Sequence, residues 1–126
     1  MKTKIFVLDD EQLNIFIIQK TFKHLDFIVC SNPMQAIEMI KNNNEIGIIL
    51  LDIYLGANNI TGVDVMKSIK KELPKLNIPT VAVTSYSDYG DESFFLEEGF
   101  SYYLPKPLDP VQFNKIIQKH LFKFQN

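Results

Sequence analysis

The chain has a single cysteine, Cys30, and only two histidines, His24 and His120. It has no apolar run approaching the roughly 18 to 20 residues that cross a bilayer. One cysteine cannot form an internal disulfide, which fits a reducing compartment, and Cys30 lies in the apolar run Phe27-Ile28-Val29-Cys30, where it reads as a small buried hydrophobe. The two histidines sit in different helix-like stretches with no cysteine at ligand spacing, so nothing favours a zinc site. Basic charge is not in excess: 13 Lys and Arg against 15 Asp and Glu give a net charge of -2, with no electrostatic case for nucleic acid or an anionic membrane surface. Met1-Lys2-Thr3-Lys4 leads into a strand-like run and not into a signal-peptide core. A soluble, cytoplasmic protein is the expectation.

What is present is an ordinary globular composition, 46% hydrophobic and 22% charged, in 126 residues, enough for one domain with a real core. Residues 1–126 are therefore expected to form a single domain without linker or repeat. Short β-branched runs alternate with longer helix-like stretches to the end. The pattern predicts strands near 4–8, 27–31, 47–51, 79–83 and 101–104, and helices near 11–25, 34–43, 63–73, 89–98 and 109–123. Phe113, Ile116, Ile117, His120, Leu121 and Phe124 fall on one face of the last helix, and Leu13, Phe16, Ile17 and Leu25 suggest a core face for the first. Ser31 or Asn32 can cap a helix opening at Pro33, while Pro74 and Gly99 stand where helices should stop. Five βα units in succession imply an α/β fold with a parallel sheet covered on both faces. Periodicity alone does not give the strand order.

The strand ends carry the chemistry. Ile5-Phe6-Val7-Leu8 ends in Asp9-Asp10, Ile48-Ile49-Leu50-Leu51 in Asp52, Val81-Ala82-Val83 in Thr84, and Tyr102-Tyr103-Leu104-Pro105 in Lys106. In open parallel sheets ligands bind beyond the carboxyl ends of the strands, so all four groups fall on one edge. Three carboxylates close together raise the cost of ionising one another and call for a cation; Mg2+ fits, with its preference for oxygen ligands and phosphate. A metal and Lys106 flanking Asp52, with the Thr84 hydroxyl beside them, are the equipment of phosphoryl transfer, in which Asp52 attacks phosphorus and forms an acyl phosphate. Each of these residues alone has an ordinary explanation as a turn, a cap or a surface charge. Their convergence on one edge is what points to a site.

Taken together, Val7-Leu8-Asp9-Asp10-Glu11, Leu50-Leu51-Asp52, Val83-Thr84-Ser85 and Leu104-Pro105-Lys106-Pro107 resemble the motifs of a receiver domain of the two-component response regulators, over essentially the whole chain. The resemblance implies a three-layer, doubly wound (βα)5 flavodoxin-like fold with a five-stranded parallel sheet in the order 2-1-3-4-5. It implies a signalling domain and not an enzyme, although such domains promote their own phosphorylation and dephosphorylation. A histidine kinase or histidine phosphotransfer protein would supply the phosphoryl group from a phosphohistidine, and Asp52 would accept it. Asp10 and Asp52 would ligate Mg2+, with Asp9 beside them and the Tyr54 backbone carbonyl as a further ligand. Thr84 and Lys106 would hold the phosphoryl oxygens, Tyr103 would be the switch aromatic, and Lys106-Pro107 matches a bond that is usually cis. A downstream protein would dock on the fourth helix, fifth strand and fifth helix, around residues 89–124.

The chain departs from that pattern after Asp52, where the family has a proline at the fourth place and a glycine at the eighth. Here Gly56 and Gly62 occupy the fourth and tenth places, so two extra residues are expected in the loop 53–62. Tyr54 and Tyr86 lie where family side chains control water access to the phosphoryl group. Among rival readings, a haloacid-dehalogenase-type phosphatase needs a second Asp where Tyr54 stands, and a flavodoxin-like cofactor binder needs a phosphate-cradling loop where Asp9-Asp10 stand. A receiver-like dimerisation domain without phosphorylation would not be expected to keep all of Asp9, Asp10, Asp52, Thr84 and Lys106.

Overall fold

The structure, a computed structural model, describes residues 2–55, 59–85 and 92–121. Within them the strands are β1 (Lys4–Leu8), β2 (Asp26–Cys30), β3 (Ile46–Asp52), β4 (Thr80–Thr84) and β5 (Tyr102–Pro105). The helices are α1 (Gln12–Thr21), α2 (Ala36–Lys41), α3 (Gly62–Glu72), α4 (Glu92–Glu97) and α5 (Pro110–His120). All strand pairs are parallel and the sheet order is β2-β1-β3-β4-β5. The chain therefore reverses direction across the sheet beside β1, and the strand ends around β1 and β3 open a crevice.

The period-2 alternation of each strand divides the core into two layers. Ile5, Val7, Ile48, Leu50, Val81 and Val83 face α1 and α5, packing with Phe22, Phe113 and Ile117. Phe6, Leu8, Ile49, Leu51 and Ala82 face α2, α3 and α4, packing with Ile40, Val63, Ile69 and Phe95. β3 is buried at every residue, which is why its sequence is apolar up to Leu51 and not alternating.

Helix signals act where the sequence places them. Asn32 caps a short 3-10 turn (Pro33–Gln35) that leads into α2, with its side chain accepting from the Met34 amide at 3.0 Å. Thr61 and Asp64 close a capping box on α3, and Asp109 caps α5. Gly99 takes φ 110° after α4, a conformation only glycine holds cheaply.

Two expectations are corrected. The first helix ends at Thr21 and not at 25, with Phe22 as C-cap at φ -116°. Its core face also differs: Leu13, Phe16 and Ile17 are 68, 56 and 50% exposed, whereas Ile15 and Phe22 are buried. The stretch 13–18 is apolar on both sides of the helix, so periodicity alone could not choose the inward one. The predicted start of the fourth helix at 89, and Phe124 on the last, lie outside the described residues. Phe113, Ile116, Ile117 and Leu121 are buried as expected.

Candidate functional site

β1 delivers Asp9 to the carboxyl edge of the sheet, and β3 delivers Asp52 beside it, because Leu8 and Leu51 are paired in register. Oxygen atoms of Asp9, Asp10 and Asp52 all lie within 4.8 Å of one another. Asp9 is 3% exposed and Asp52 4%. From β5, one strand beyond β4, Lys106 reaches both: its Nζ is 3.2 Å from Asp52 Oδ2 and 3.4 Å from Asp9 Oδ2. The backbone fixes the rims, since the Glu11 amide donates to Asp9 Oδ1 at 2.9 Å and the Tyr54 amide to Asp52 Oδ1 at 3.4 Å. The bond between Lys106 and Pro107 is cis, as expected.

Thr84 is the last residue of β4, 1% exposed, and pairs in register with Pro105, so it ends its strand one residue before Lys106. The Lys106 amide donates to the Thr84 carbonyl at 3.0 Å. Tyr103 lies three residues earlier on β5 and stacks on Phe95 of α4, with ring centroids 5.2 Å apart and planes 7° apart. The Tyr54 side chain is half exposed just beyond β3. Gly56 and Tyr86 lie outside the described residues, whereas Gly62 opens α3 with its amide on the Ile53 carbonyl at 2.9 Å.

Burial and mutual charge shift the groups of the cluster from their ordinary values. Burial pushes the Asp52 carboxyl up to about 7; the Lys106 ammonium opposes the rise and Asp9 adds to it. Burial works to lower the Lys106 ammonium, but Asp52 and Asp9 outweigh it and hold it above its ordinary value. The donor set, three carboxylates with no sulfur or imidazole, suits a hard oxygen-seeking divalent cation of the Mg2+ type.

A pH dependence follows. Folded Asp52 binds its proton up to about pH 7, whereas the unfolded chain releases it near the ordinary carboxylate value. The folded state therefore holds more protons in that window, and stability contributed by protonated Asp52 is lost as pH rises through it. In metal-free buffer Asp52→Asn is expected to flatten this loss, leaving the variant more stable than wild type at pH 8 by roughly 1 to 4 kcal/mol. Urea unfolding at pH 5 and pH 8 measures it; equal slopes for the two proteins would reject it.

Sequence reasoning missed two features. Tyr102 Oη and His120 Nε2 lie 2.6 Å apart, joining β5 to α5. No motif encodes that pair, which exists only because α5 packs back on the sheet. The other is a cavity beside Asp52 and Lys106, floored by residues of α1 and β3; nothing in a linear pattern marks concavity.

The response regulator receiver domain model matches residues 5–118. The polar-differentiation response regulator DivK of Brucella anthropi is 25% identical over 123 residues, covering 96% of this chain and 98% of DivK. Among solved structures, the receiver domain of the Francisella response regulator 1452 superposes with a TM-score of 0.81 at 21% identity, covering 98% of this chain and 99% of that one. A response regulator receiver domain protein from Clostridium thermocellum gives 0.80 at 22% identity, covering 96% and 95%.

Proposed function

The chain belongs to the response regulator receiver domain family, and from that premise we propose that residues 1–126 act as one phosphoacceptor unit in which Asp52 takes a phosphoryl group from a phosphohistidine. The observation that carries this is the single ammonium of Lys106 bridging Asp9 and Asp52 at the carboxyl edge of the sheet. The donor is a histidine kinase or histidine phosphotransfer protein. An Asp52 carboxylate oxygen forms the new bond to phosphorus while the bond from phosphorus to the donor nitrogen breaks, and the imidazole leaves with the electron pair. Lys106 and Thr84 receive the phosphoryl oxygens. Asp9, Asp10, Asp52 and the Tyr54 carbonyl would hold Mg2+, which when bound neutralises charge on the phosphoryl group.

The reading extends to a switch. Tyr103 packs with the α2–α3–α4 layer, and by strand alternation Thr84 shares that side with Ala82. Capture of the phosphoryl oxygens by Thr84 would move the end of β4 against the Tyr103–Phe95 stack, and so alter the face formed by α4, β5 and α5 that a downstream protein reads. Driving such a two-state equilibrium from 1:99 to 99:1 takes about 5.5 kcal/mol of differential stabilisation.

The test is incubation with Mg2+ and acetyl phosphate followed by intact mass measurement on wild type and Asp52→Ala. A wild type that never gains one phosphoryl mass, under conditions that label an ordinary receiver, overturns the proposal. A second prediction concerns lifetime. Small polar residues at both Tyr54 and Tyr86 are expected to speed dephosphorylation by admitting water; an unchanged decay rate would reject that role.

A further inference from the structure

A cavity of about 380 Å³ opens beside the carboxylate cluster, between α1, the sheet and the segment after β5. Its apolar lining includes Ile17 and Ile18 of α1 and its C-cap Phe22, Leu50 of β3, Val83 of β4, and Leu108. Its charged lining is one-sided: Asp9, Glu11 and Asp52 against Lys106. The volume is that of a small-molecule site, where apolar walls supply affinity and a few polar groups set orientation. An apolar body with an anionic head would place a fourth negative charge near three. A neutral one would leave the excess charge unanswered.

We infer that this cavity binds small amphipathic organic cations, with the ammonium toward Asp9, Glu11 and Asp52 and the hydrocarbon against Ile17, Ile18, Phe22 and Leu108. Occupancy then competes with a divalent cation, because both draw on Asp9 and Asp52. Such a ligand would hold the protein in its metal-free state, a regulatory input separate from any phosphohistidine partner. Ile17 is 50% exposed although it lines the cavity, which places it at the mouth.

The probes are n-butylammonium, n-hexylammonium, hexanol and hexanoate, titrated into metal-free protein at pH 8 by calorimetry and by amide chemical shifts. Hexylammonium is expected to bind saturably, with shifts centred on α1 and the end of β5. Each methylene that finds the apolar wall should tighten binding about fourfold, so hexyl should exceed butyl by roughly fifteenfold. Hexanoate and hexanol should bind at least tenfold more weakly. Ile17→Lys brings an ammonium to the mouth, and Asn14→Trp fills it from a partly exposed helix position; each should cost at least tenfold while the melting temperature stays near that of wild type. Added Mg2+ should weaken hexylammonium in proportion to its own occupancy. Equal affinity for hexylammonium and hexanoate, no gain with chain length, or no response to either variant would overturn the site, and indifference to Mg2+ would overturn the competition. None of these measurements needs a phosphodonor, so they stand or fall apart from the phosphorylation of Asp52.

Discussion

Asp52→Ala is expected to abolish phosphoryl gain completely under conditions in which wild type is labelled to saturation. The reason is positional. Among the described residues, three carboxylates share the cluster, yet Asp52 alone stands on the central strand with Lys106 at 3.2 Å and a backbone amide on its other oxygen. Asp9 is also held by Lys106, at 3.4 Å, but it accepts the Glu11 amide at 2.9 Å and so is engaged by the turn into α1. A nucleophile must be displaced little on attack, and its neighbours must gain contact as charge moves to the phosphoryl oxygens. Lys106→Ala should therefore keep the acceptor and lose the fixed cation, slowing labelling by about 10² to 10³, the cost of removing one preorganised donor. Mass spectra over a time course separate the two variants: no product against slow product. Phosphoryl mass on Asp52→Ala at the wild-type rate would move the acceptor to Asp9 or Asp10, and an unaffected Lys106→Ala would remove the lysine from the chemistry.

The strand ends were legible in the sequence because a parallel strand buried on both faces must be apolar until it leaves the sheet. Charge then appears at the strand's carboxyl end, as at Asp9 just beyond β1 and Asp52 as the last residue of β3. Strand order was not legible in that way, since beyond Lys4 β1 pairs with β2 and β3 through apolar residues that carry no mark of partner; the family resemblance supplied it. The face of α1 was misread for a similar reason. Leu13, Phe16 and Ile17 are apolar yet exposed, and Phe16 lies under the Lys20 ammonium at 5.6 Å from its ring centroid. Hydrophobicity there marks a surface, not the core. The two extra residues expected after Asp52 were legible only as a spacing. The loop's closing residue is constrained: a Cβ on Gly62 would lie 2.5 Å from the Asp52 carbonyl oxygen and 3.0 Å from the Ile53 Cα. The loop must therefore return to within contact of the acceptor strand whatever its length, which explains why a glycine stands at its end. Gly62→Ala should accordingly destabilise by about 1 to 3 kcal/mol, since the opposing atoms are backbone and cannot swing aside.

The largest loss of stability is expected from Phe95→Ala, about 3 to 5 kcal/mol. Phe95 is fully buried and, among the described residues of α4, is the buried one. Most helical stability in a protein comes from packing of the buried face, so the position of α4 depends on what it packs against. Phe95 makes that packing through aromatic contacts on three sides, stacked on Tyr103 and edge-on to Phe94 and Phe100 at 5.2 and 5.8 Å. Truncation opens a cavity under α4 and removes the surface on which Tyr103 rests. Urea unfolding gives the magnitude, and amide exchange gives its location: protection should fall first in α4 and β5, while β1 and β3 keep theirs. Phe95→Leu retains most of the volume without the ring faces and should lose less than half as much, which separates cavity from stacking. A Phe95→Ala variant within 1 kcal/mol of wild type, or one whose exchange rises uniformly across the sheet, would mean that α4 is held by something other than this ring. The same measurement bears on the proposed switch, because the Tyr103–Phe95 stack is a contact through which a movement of that tyrosine would reach α4.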